Sequence, residues 1–477
     1  MSHPEDTNIP TTEANTCYHG PCIVTYRGAG ILTLADGCFF GCTFEAGQAV
    51  DGTVWLICRF QRRWPEGKGI PVRDFTGTTT TGWLLSADRP ILYFQQDVSK
   101  AEGGSVECWG TCCVSKMLVR VANNSHPREA RYGIMNLGYT QTHKTESMES
   151  TAQGLSLRLQ AAHRVTEVII RPLEKCMRLM ERYRIVRDVH VAHEVCGALT
   201  DDQDIDQLTD VVNGLCRLLS VACGTSIQWV YRDLYDSPGE LVAREHRLTP
   251  TGPRSGLALI DSSNIEDTKA FLEQSYGNYV AIREAYMLDK GVLDAYLDAK
   301  MEPYCVMGGL KLAIAIEMLK SVFLDVPDFP VRESILPNKQ FKNLTKSMAQ
   351  VIDRDLAGKA DENAQRTLRD NLPSINRTPF KSIVKALCAQ IGLERDVDID
   401  LFVKCRNSLV HTGKFYCFRA SRAEKEKYDV LAGPDIEYFF LVHFLDRVFM
   451  ALLGYRGPYL NWLRAARRHR MAVLPDP

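Results

Sequence analysis

The segment Phe402–Gly413 carries an arginine, an asparagine and a histidine at a spacing that could perform chemistry. Arg406 and Asn407 are adjacent, and His411 follows Asn407 four residues later. On a helix, residues four apart lie on the same face, so Asn407 and His411 are expected to be neighbours. The long side chain of Arg406 can reach the same place. His411 falls in the last turn of the predicted helix, where the helix dipole favours a protonated imidazole.

These three side chains suit the cleavage of an RNA phosphodiester. The 2′-hydroxyl of RNA supplies the nucleophile, and a histidine can take or deliver its proton near neutral pH. An arginine can hold the phosphate in a fork and stabilise the extra charge of the transition state. Asn407 can orient the imidazole or contact the phosphate. A pattern this short also occurs by chance in long proteins, so a packed helix without a reaction is the alternative.

The helix that must position these residues has its own sequence signals. Asp396 or Asp398 is placed to cap its start, and Gly413 lies just past its end, where a left-handed cap is favourable. Apolar residues at i, i+3 and i+7 form a seam that would bury one side of the helix. The residues of this seam are Phe402, Cys405 and Leu409.

Helices are expected throughout residues 256–477. Four apolar residues at spacings of four, three and four predict a helix that faces a core, namely Leu312, Ile316, Leu319 and Phe323. Further helices are predicted over PNKQFKNLTKSMAQVIDRDL, DENAQRTLRDNL and TPFKSIVKALCAQIGL. The run GPDIEYFFLVHFLDRVFMALLG predicts a last, very apolar helix.

The N-terminal half has the texture of β-strands. Short runs rich in β-branched and aromatic residues are separated by Gly, Pro and Asp turns, among them CIVTY, GILTL, TVWLICRF, GWLLSA, ILYF and MLVRV. They predict an antiparallel sandwich or a closed sheet. After residue 150 strands such as EVIIRP mix with two predicted helices, LEKCMRLMERYRI and DDQDIDQLTDVVNGLCRLLSVA.

The expected fold class is α+β, with a β-rich N-terminal region followed by an all-α bundle. We expect a flexible tail over residues 1–16 and a β-rich region over residues 17–255, which could divide into two subdomains near residue 150. The helical domain would occupy residues 256–477. The turn-rich stretch HRLTPTGPRSG supplies the linker between the two regions.

Composition excludes several classes of protein. Lys and Arg total 57 and Asp and Glu 58, so the net charge of −1 rules out a globally basic coat for nucleic acid, although not a local basic patch. The 16 cysteines are scattered, and the N-terminus lacks a signal peptide, which favours free thiols in a reducing cytoplasm. The most apolar stretch, Tyr438–Leu453, is interrupted by His443, Asp446 and Arg447, so we expect no membrane span.

Several other motifs are too weak to carry a site. GTTTTGW has the glycine spacing of a phosphate loop but lacks its lysine, and a turn in a sheet is the better interpretation. His190 and His193 have no evident carboxylate partner. Four cysteines near His19 could ligate zinc only with unusual spacing, so no metal or cofactor is expected. These are Cys17, Cys22, Cys38 and Cys42.

Two further features are candidates for a groove that holds RNA. His443, Asp446 and Arg447 interrupt the last apolar helix, and they either line the groove or form a satisfied polar stripe. The C-terminal tail is basic and carries aromatic residues, so it either grips an RNA backbone or is a solvated helix face. Its candidate RNA-binding residues are Arg464, Arg467, Arg468 and Arg470.

The segment from Arg406 to His411, RNSLVH, is similar to the Arg-polar-x3-His signature of HEPN domains. Its surroundings match as well, because helices precede it, Thr412 and Gly413 end the motif helix, and an apolar helix follows. The whole chain resembles the ApeA-type abortive-infection proteins of bacteria, in which a β-rich region precedes a HEPN domain. The N-terminal likeness rests on GILTLADGCFFGCTF, DGTVWLICRF and FTGTTTTGWLLSA.

This resemblance implies a metal-independent endoribonuclease in which Arg406 and His411 are catalytic and Asn407 supports them. It implies products with a 2′,3′-cyclic phosphate and a 5′-hydroxyl, and a homodimer, because HEPN sites are usually built from two facing motifs. It also implies a toxin used in anti-phage abortive infection, with an N-terminal region that senses a phage-derived or cellular trigger. The chain departs from the pattern in its charged insertion RASRAEKEKYD, residues 419–429.

Two other functions remain open. A non-catalytic HEPN-like adaptor would bind RNA or a partner protein through the same groove. A metal-dependent nuclease would need a carboxylate cluster, which the sequence does not offer.

Overall fold

A computed structural model describes residues 22–49, 52–60, 70–88, 91–95, 108–121, 126–137, 154–162, 164–173, 191–199, 204–249, 256–261, 264–393 and 398–473. The chain divides into two compact units between residues 255 and 256, except that residues 161–163 belong to the second unit and residues 262–273 to the first. The predicted N-terminal tail, Cys17, His19, His190 and most of the helix predicted over LEKCMRLMERYRI lie outside the described residues.

Strands dominate the first unit and form a large antiparallel sheet. Their bounds are Cys22–Leu34 (β1), Phe39–Ala49 (β2), Val54–Phe60 (β3), Ile70–Thr79 (β4), Leu84–Asp88 (β5), Ile91–Gln95 (β6), Cys108–Cys113 (β7), Lys116–Arg120 (β8), Glu129–Met135 (β9), Leu155–Ala161 (β10), Arg164–Pro172 (β11), Val191–Ala198 (β12), Gln228–Tyr235 (β13) and Leu241–Arg247 (β14). The strand order is β1-β2-β3-β7-β6-β4-β5-β8-β14-β13-β9-β12-β11-β10. The β-rich N-terminal region and the helical region after it confirm the α+β class.

Strand β1 also pairs with β4, so the first six strands in the order close into a ring. The sequence predicted two strands where the structure has the single long β1. Strand β1 can approach β4 while it pairs with β2 because two of its residues are glycines. A Cβ on Gly28 would lie 2.0 Å from the carbonyl oxygen of Thr78. A Cβ on Gly30 would lie 2.6 Å from the ring of Phe75. Alternating apolar residues fill the interior, among them Leu32, Phe44, Leu56, Phe75 and Val119.

A buried histidine links strands that are not neighbours in the sheet. The two ring nitrogens of His246 on β14 hydrogen-bond with Tyr26 Oη at 2.9 Å and with Gln48 Oε1 at 2.8 Å. Burial lowers the pKa of His246 well below its usual value, and Arg244 lowers it further. This imidazole is therefore neutral, and it joins β14 to β1 and β2.

One predicted helix of the first unit lies among the described residues. It spans Asp204–Cys223 (α1). Its polar contacts reach the sheet, since Trp229 Nε1 donates to Asn213 Oδ1 at 2.8 Å, and Tyr132 Oη lies 2.9 Å from Thr209 Oγ1.

Helices form the second unit, and α2 begins in the first unit and continues into it. Their bounds are Ile265–Ile282 (α2), Val292–Lys300 (α3), Cys305–Asp325 (α4), Asn338–Leu356 (α5), Glu362–Asn371 (α6), Phe380–Gln390 (α7), Ile399–Thr412 (α8), Arg422–Lys427 (α9), Pro434–Leu452 (α10) and Trp462–Val473 (α11). Helix α4 buries the predicted stripe from Leu312 to Phe323. In the described part of the chain, no helix combines the length and the hydrophobicity that a transmembrane segment needs.

A buried ionic network joins α3 to α10. Lys300 Nζ lies 2.9 Å from Asp446 Oδ1 and 3.0 Å from Tyr296 Oη, and Tyr296 donates to the same carboxylate. The side chains of Lys300 and Asp446 are 0% and 1% exposed. Burial lowers the pKa of Lys300, and the neighbouring carboxylate opposes this effect. The packing of α3 against α10 therefore depends on both Lys300 and Asp446, because either charge alone would be buried without its partner.

We expect Asp446→Ala to lower the free energy of unfolding of the helical unit by about 3–5 kcal/mol, because it leaves the Lys300 ammonium buried without its partner. The paired replacement Lys300→Met with Asp446→Leu should restore most of this loss. Urea unfolding followed by circular dichroism measures both effects. Asp370→Ala on α6 removes a carboxylate from an exposed pair with Arg366 and serves as the control, with no measurable change expected. Equal costs for Asp446→Ala and Asp370→Ala would contradict the role of the network.

Candidate functional site

The motif helix α8 begins and ends as its sequence predicts. The side chain of Asp398 accepts a hydrogen bond from the backbone N–H of Leu401 at 2.8 Å, which caps the start of the helix. Gly413 has a φ of 65°, and its N–H donates to the carbonyl of Leu409 at 2.9 Å. A left-handed conformation at this position favours glycine, so the helix ends directly after His411 and Thr412.

The apolar seam of α8 is buried against helices α4 and α10. The ring of Phe402 stacks on the ring of Phe444 with centroids 3.7 Å apart. Cys405 and Leu409 are also buried. A Cβ on Gly309 would lie 2.9 Å from Leu409 Cδ1, so this glycine allows α4 to approach α8 closely.

Arg406 projects from α8 into a half-buried cage. Its Nη2 donates to Glu317 Oε1 on α4, and its Nη1 donates to Asn407 Oδ1 at 2.9 Å. The guanidinium carbon lies 4.5 Å from the ring centroid of Phe380 on α7. The Arg406 side chain is only 12% exposed, and its Nε lies buried with no hydrogen-bond partner among the described residues. Three helices therefore fix one cation.

Two effects act on the pKa of Arg406 in opposite directions. Burial lowers the pKa, and the carboxylate of Glu317 raises it. Glu317 is shared, because Lys320 Nζ lies 2.5 Å from its Oε2 and also lies 5.8 Å from the Phe380 ring. The site thus holds two cations and one carboxylate, a local charge that suits an anion.

His411 lies on the exposed surface in the last turn of α8. Within the described part of the chain, no hydrogen bond to its imidazole is present. The structure therefore brings Arg406 and Asn407 together directly, and it leaves His411 free to meet an incoming group. Asn407 lies one turn before His411 on the same helix, as the spacing predicts.

The chain that follows α8 is anchored by a buried carboxylate. Glu437 on α10 is 0% exposed and accepts hydrogen bonds from the backbone N–H groups of Tyr416 at 2.8 Å and Cys417 at 2.7 Å. Burial and this carboxylate raise the pKa of the Cys417 thiol to about 12, and they raise the pKa of Cys405 as well. Ser408 Oγ also donates to the carbonyl of Lys414 at 2.8 Å. The exit from the motif helix is therefore firmly held.

The charged insertion at residues 419–429 packs beside the motif helix. Its helix α9 opens with a capping box between Ser421 and Glu424. Glu424 also accepts hydrogen bonds from Lys404 of α8 at 2.8 Å and from Tyr416 Oη at 2.6 Å. The contact with Lys404 is the largest of the effects that lower the pKa of Glu424 to about 2.

The other residues predicted to line an RNA groove differ in their exposure and in their partners. Arg464 is exposed on α11, and Arg467 binds Asp429 at 2.7 Å. The side chains of Arg468 and Arg470 lie outside the described residues. On α10, Asp446 points into the core network, whereas His443 stacks on Tyr459 with ring centroids 6.0 Å apart.

In the segments that the structure describes, no group of three or more His, Cys, Asp and Glu side chains could hold a metal ion. Cys22, Cys38 and Cys42 form no disulfide bond among the described residues, and His193 is buried in β12. Comparison of the chain with models of known protein families, with curated proteins and with solved structures found no match.

Sequence reasoning missed three residues that build this site. Glu317 is an acid within the otherwise apolar run LAIAIEML, and such an interruption is a usable signal. Glu437 stands in the acidic first turn of α10, directly before the apolar run YFFLV, where it is typical of an ordinary helix start. Phe380 carries no local signal, because its role depends on where α7 packs.

A double-mutant cycle tests the pairing of Arg406 with Glu317. Glu317→Gln and Arg406→Gln should each destabilise the helical unit, and together they should cost less than the sum, with a coupling of about 1–3 kcal/mol. The reason is that Glu317→Gln leaves the half-buried Arg406 without its carboxylate, whereas Arg406→Gln leaves Glu317 with Lys320 as its remaining cation. Urea unfolding measures the coupling. The exposed pair Arg422–Glu426 on α9 is the control, where no measurable coupling is expected, and additivity at Arg406 and Glu317 would contradict the cage.

Proposed function

We propose that this chain is an endoribonuclease of the HEPN type, which cleaves RNA through attack of the 2′-hydroxyl. Arg406 and His411 are the catalytic residues, and Asn407 supports them. The products carry a 2′,3′-cyclic phosphate and a 5′-hydroxyl. Because the nucleophile belongs to the RNA, the reaction does not require a metal-bound water.

The observation that carries this proposal is the cage around Arg406. A guanidinium that three helices hold in one orientation does not have to reorganise when charge develops on a phosphate. Two of its N–H groups bind Glu317 and Asn407. The ring of Phe380 lies 4.5 Å from the guanidinium carbon and limits the movement of the side chain, and a guanidinium fork can bind phosphate in a bidentate manner.

His411 supports the proposal through its exposure. A proton donor or acceptor must reach the oxygen atoms of a substrate that arrives from solvent, and this imidazole lies at the surface one turn from Asn407. Near neutral pH, an imidazole can serve in both proton transfers of the reaction.

A homodimer would bring two such motifs together. Apolar side chains lie exposed one helical turn from each member of the Arg406–Glu317 pair, since Ile314 on α4 is 53% exposed and Val410 on α8 is 42% exposed. Met307 on the same helix as Ile314 is 48% exposed. A second copy of the chain would cover this surface and place its own His411 near the first.

The biological role belongs to the same proposal. The enzyme acts in the cytoplasm as a toxin in anti-phage abortive infection. The first unit, with its large sheet, senses a phage-derived or cellular trigger and restrains the nuclease until then. The buried polar network around His246 gives that unit a rigid frame on which a trigger can act.

An adaptor function is the second candidate. Glu317 already neutralises Arg406 and limits its exposure to 12%, which favours a structural use of this arginine. In that case the same surface would bind RNA or a partner protein without cleaving it.

Cleavage of RNA by the purified full-length protein separates the two functions. We expect the wild type to cleave single-stranded RNA in the presence of EDTA, once the trigger or a phage-infected extract has released it. His411→Ala and Arg406→Ala should each lower the rate at least about 100-fold, because they remove the proton transfer or the charge stabilisation. Gel analysis with end-group mapping identifies the cyclic phosphate.

Arg422→Ala is the matched control for Arg406→Ala, since its side chain is exposed on α9 and its rate should not change. Wild-type RNA binding without cleavage under every condition would favour the adaptor. Abolition of cleavage by EDTA would instead favour a metal-dependent nuclease.

The proposed dimer depends on the exposed apolar residues beside the cage. Ile314→Asp should convert a dimer of the 53.7 kDa chain into a monomer, because it places a charge at the centre of the interface. Analytical ultracentrifugation measures this change. Leu368→Asp, at an exposed leucine on α6, is the control and should leave the dimer intact. A wild type that stays monomeric with RNA and trigger present would refute the dimer.

A further inference from the structure

The first turn of α7 carries the aromatic ring that faces Arg406, and among the described residues this turn has no side-chain cap. Phe380 is the first residue of the helix, and the residue before it is Pro379. The buried residues of α7 begin at Ile383, beyond the first turn. Because the first turn of a helix has unpaired backbone N–H groups and is stabilised by a cap, the position of Phe380 needs another restraint.

A polar clamp lies directly before this turn. It joins residues 332–336, which follow α4, to residues 376–378, which precede α7. The side-chain amide of the buried Asn376 accepts a hydrogen bond from the N–H of Leu336 at 2.8 Å and donates to the carbonyl of Leu336 at 2.9 Å. The backbone carbonyl of Asn376 accepts from the N–H of Ile335 at 2.8 Å. The amide therefore pairs with the backbone as a neighbouring strand would.

Thr378 extends the clamp towards α7. Its N–H donates to the carbonyl of Glu333 at 2.8 Å, and its Oγ1 donates to the carbonyl of Arg332 at 2.6 Å. Only Pro379 separates Thr378 from Phe380, and the ring of a proline fixes its own φ. Little rotational freedom is therefore left between the clamp and the ring that faces Arg406.

The other side of the clamp is tied to α4, the helix that carries Glu317. Phe329 lies between α4 and the clamp and is buried, and its ring packs edge-on against Phe323 of α4 with centroids 5.6 Å apart. The clamp therefore sets the first residue of α7 relative to the helix whose carboxylate binds Arg406.

The helical hairpin between the two sides of the clamp cannot supply the same restraint by packing. Helices α5 and α6 are described throughout, and neither contains a buried residue. The position of Phe380 relative to α4 therefore depends on the hydrogen bonds of the clamp, with Asn376 at their buried centre.

We propose that Asn376 is a positioning residue, which holds the ring of Phe380 against the guanidinium of Arg406. The inference rests on the proposed function, in which Arg406 stabilises the charge that develops on a phosphate. A group that is fixed in advance does not have to reorganise as this charge develops. Loss of the Asn376 amide frees the first turn of α7, so Arg406 adopts additional orientations that stabilise the charge less well.

Single-turnover cleavage of RNA by the full-length protein tests the proposal, after release by the trigger or a phage-infected extract. Asn376→Ala should lower the rate about tenfold, because a small displacement of a positioned group slows a reaction strongly. The dissociation constant of a 2′-O-methyl RNA, which lacks the nucleophile, should change less than about twofold, since the loss concerns the transition state.

Asn371→Ala is the matched control for Asn376→Ala. Asn371 is exposed on α6, and its Nδ2 donates to the carbonyl of Thr367 at 2.9 Å, outside the clamp. Its loss should leave the rate unchanged. Circular dichroism checks that each variant folds. If Asn376→Ala does not fold, Asn376→Asp takes its place, because a carboxylate still accepts from Leu336 but cannot donate to it.

A combined variant shows whether Asn376 acts through Phe380. Phe380→Leu should lower the rate by a similar factor. Asn376→Ala and Phe380→Leu together should lower it by no more than about twofold below the slower single variant. A purely structural role of Asn376 would not give this result, because the effects of independent changes multiply.

Urea unfolding tests the link without cleavage. Asn376→Ala should lower the urea midpoint, and this loss should be measurably smaller in an Arg406→Gln background, where Phe380 has no guanidinium to hold. Asn371→Ala should shift the midpoint equally in both backgrounds. A wild type that cleaves no RNA but shows this coupling would refute the proposed function, while the link between the clamp and Arg406 would remain.

Two results would overturn the inference. One is a cleavage rate of Asn376→Ala equal to the rates of the wild type and Asn371→Ala. The other is multiplication of the separate effects of Asn376→Ala and Phe380→Leu, which would show that the amide acts without the ring. In a chain that cleaves no RNA, equal midpoint losses in both backgrounds would refute the link as well.

Discussion

The burial of one guanidinium is the constraint that organises the helical unit around the motif. A cation that is only 12% exposed is unfavourable unless charge and hydrogen bonds compensate for lost water. Glu317 supplies the charge, Asn407 a hydrogen-bond acceptor and Phe380 a ring face. These residues come from α4, α8 and α7, so Arg406 remains in place only while three helices keep their positions.

Helix α10 supports this arrangement through two buried carboxylates on an otherwise apolar helix. Asp446 binds Lys300 and Tyr296 and so fixes α3. Glu437, near the start of α10, holds the backbone just after the motif helix through Tyr416 and Cys417. Each carboxylate accepts two hydrogen bonds, which makes its burial tolerable. Helix α10 therefore holds both α3 in the core and the backbone that follows α8.

The sequence predicted those parts of the site that depend only on residues close together in the chain. The cap at Asp398, the glycine at Gly413 and the buried side of α8 follow from spacing along one helix, and the structure confirms them. The partner of Arg406 lies 89 residues away in sequence, and no periodicity indicates such a pairing. The polar residues of α10 show the same limit. Their spacing predicts one stripe, yet Asp446 lies in the core network whereas His443 stacks on Tyr459.

Arg406 is held in a cage whereas His411 is exposed, and this difference suits the proposed reaction. A group that stabilises developing charge works best when it is fixed in advance, because any movement during the reaction costs free energy. A group that transfers a proton must instead approach first one oxygen atom and then another. The cage immobilises the guanidinium, and the end of α8 at Gly413 leaves the imidazole on the surface. In the proposed dimer, the two imidazoles would complete the site, because they lie at the surface and can adjust to the RNA.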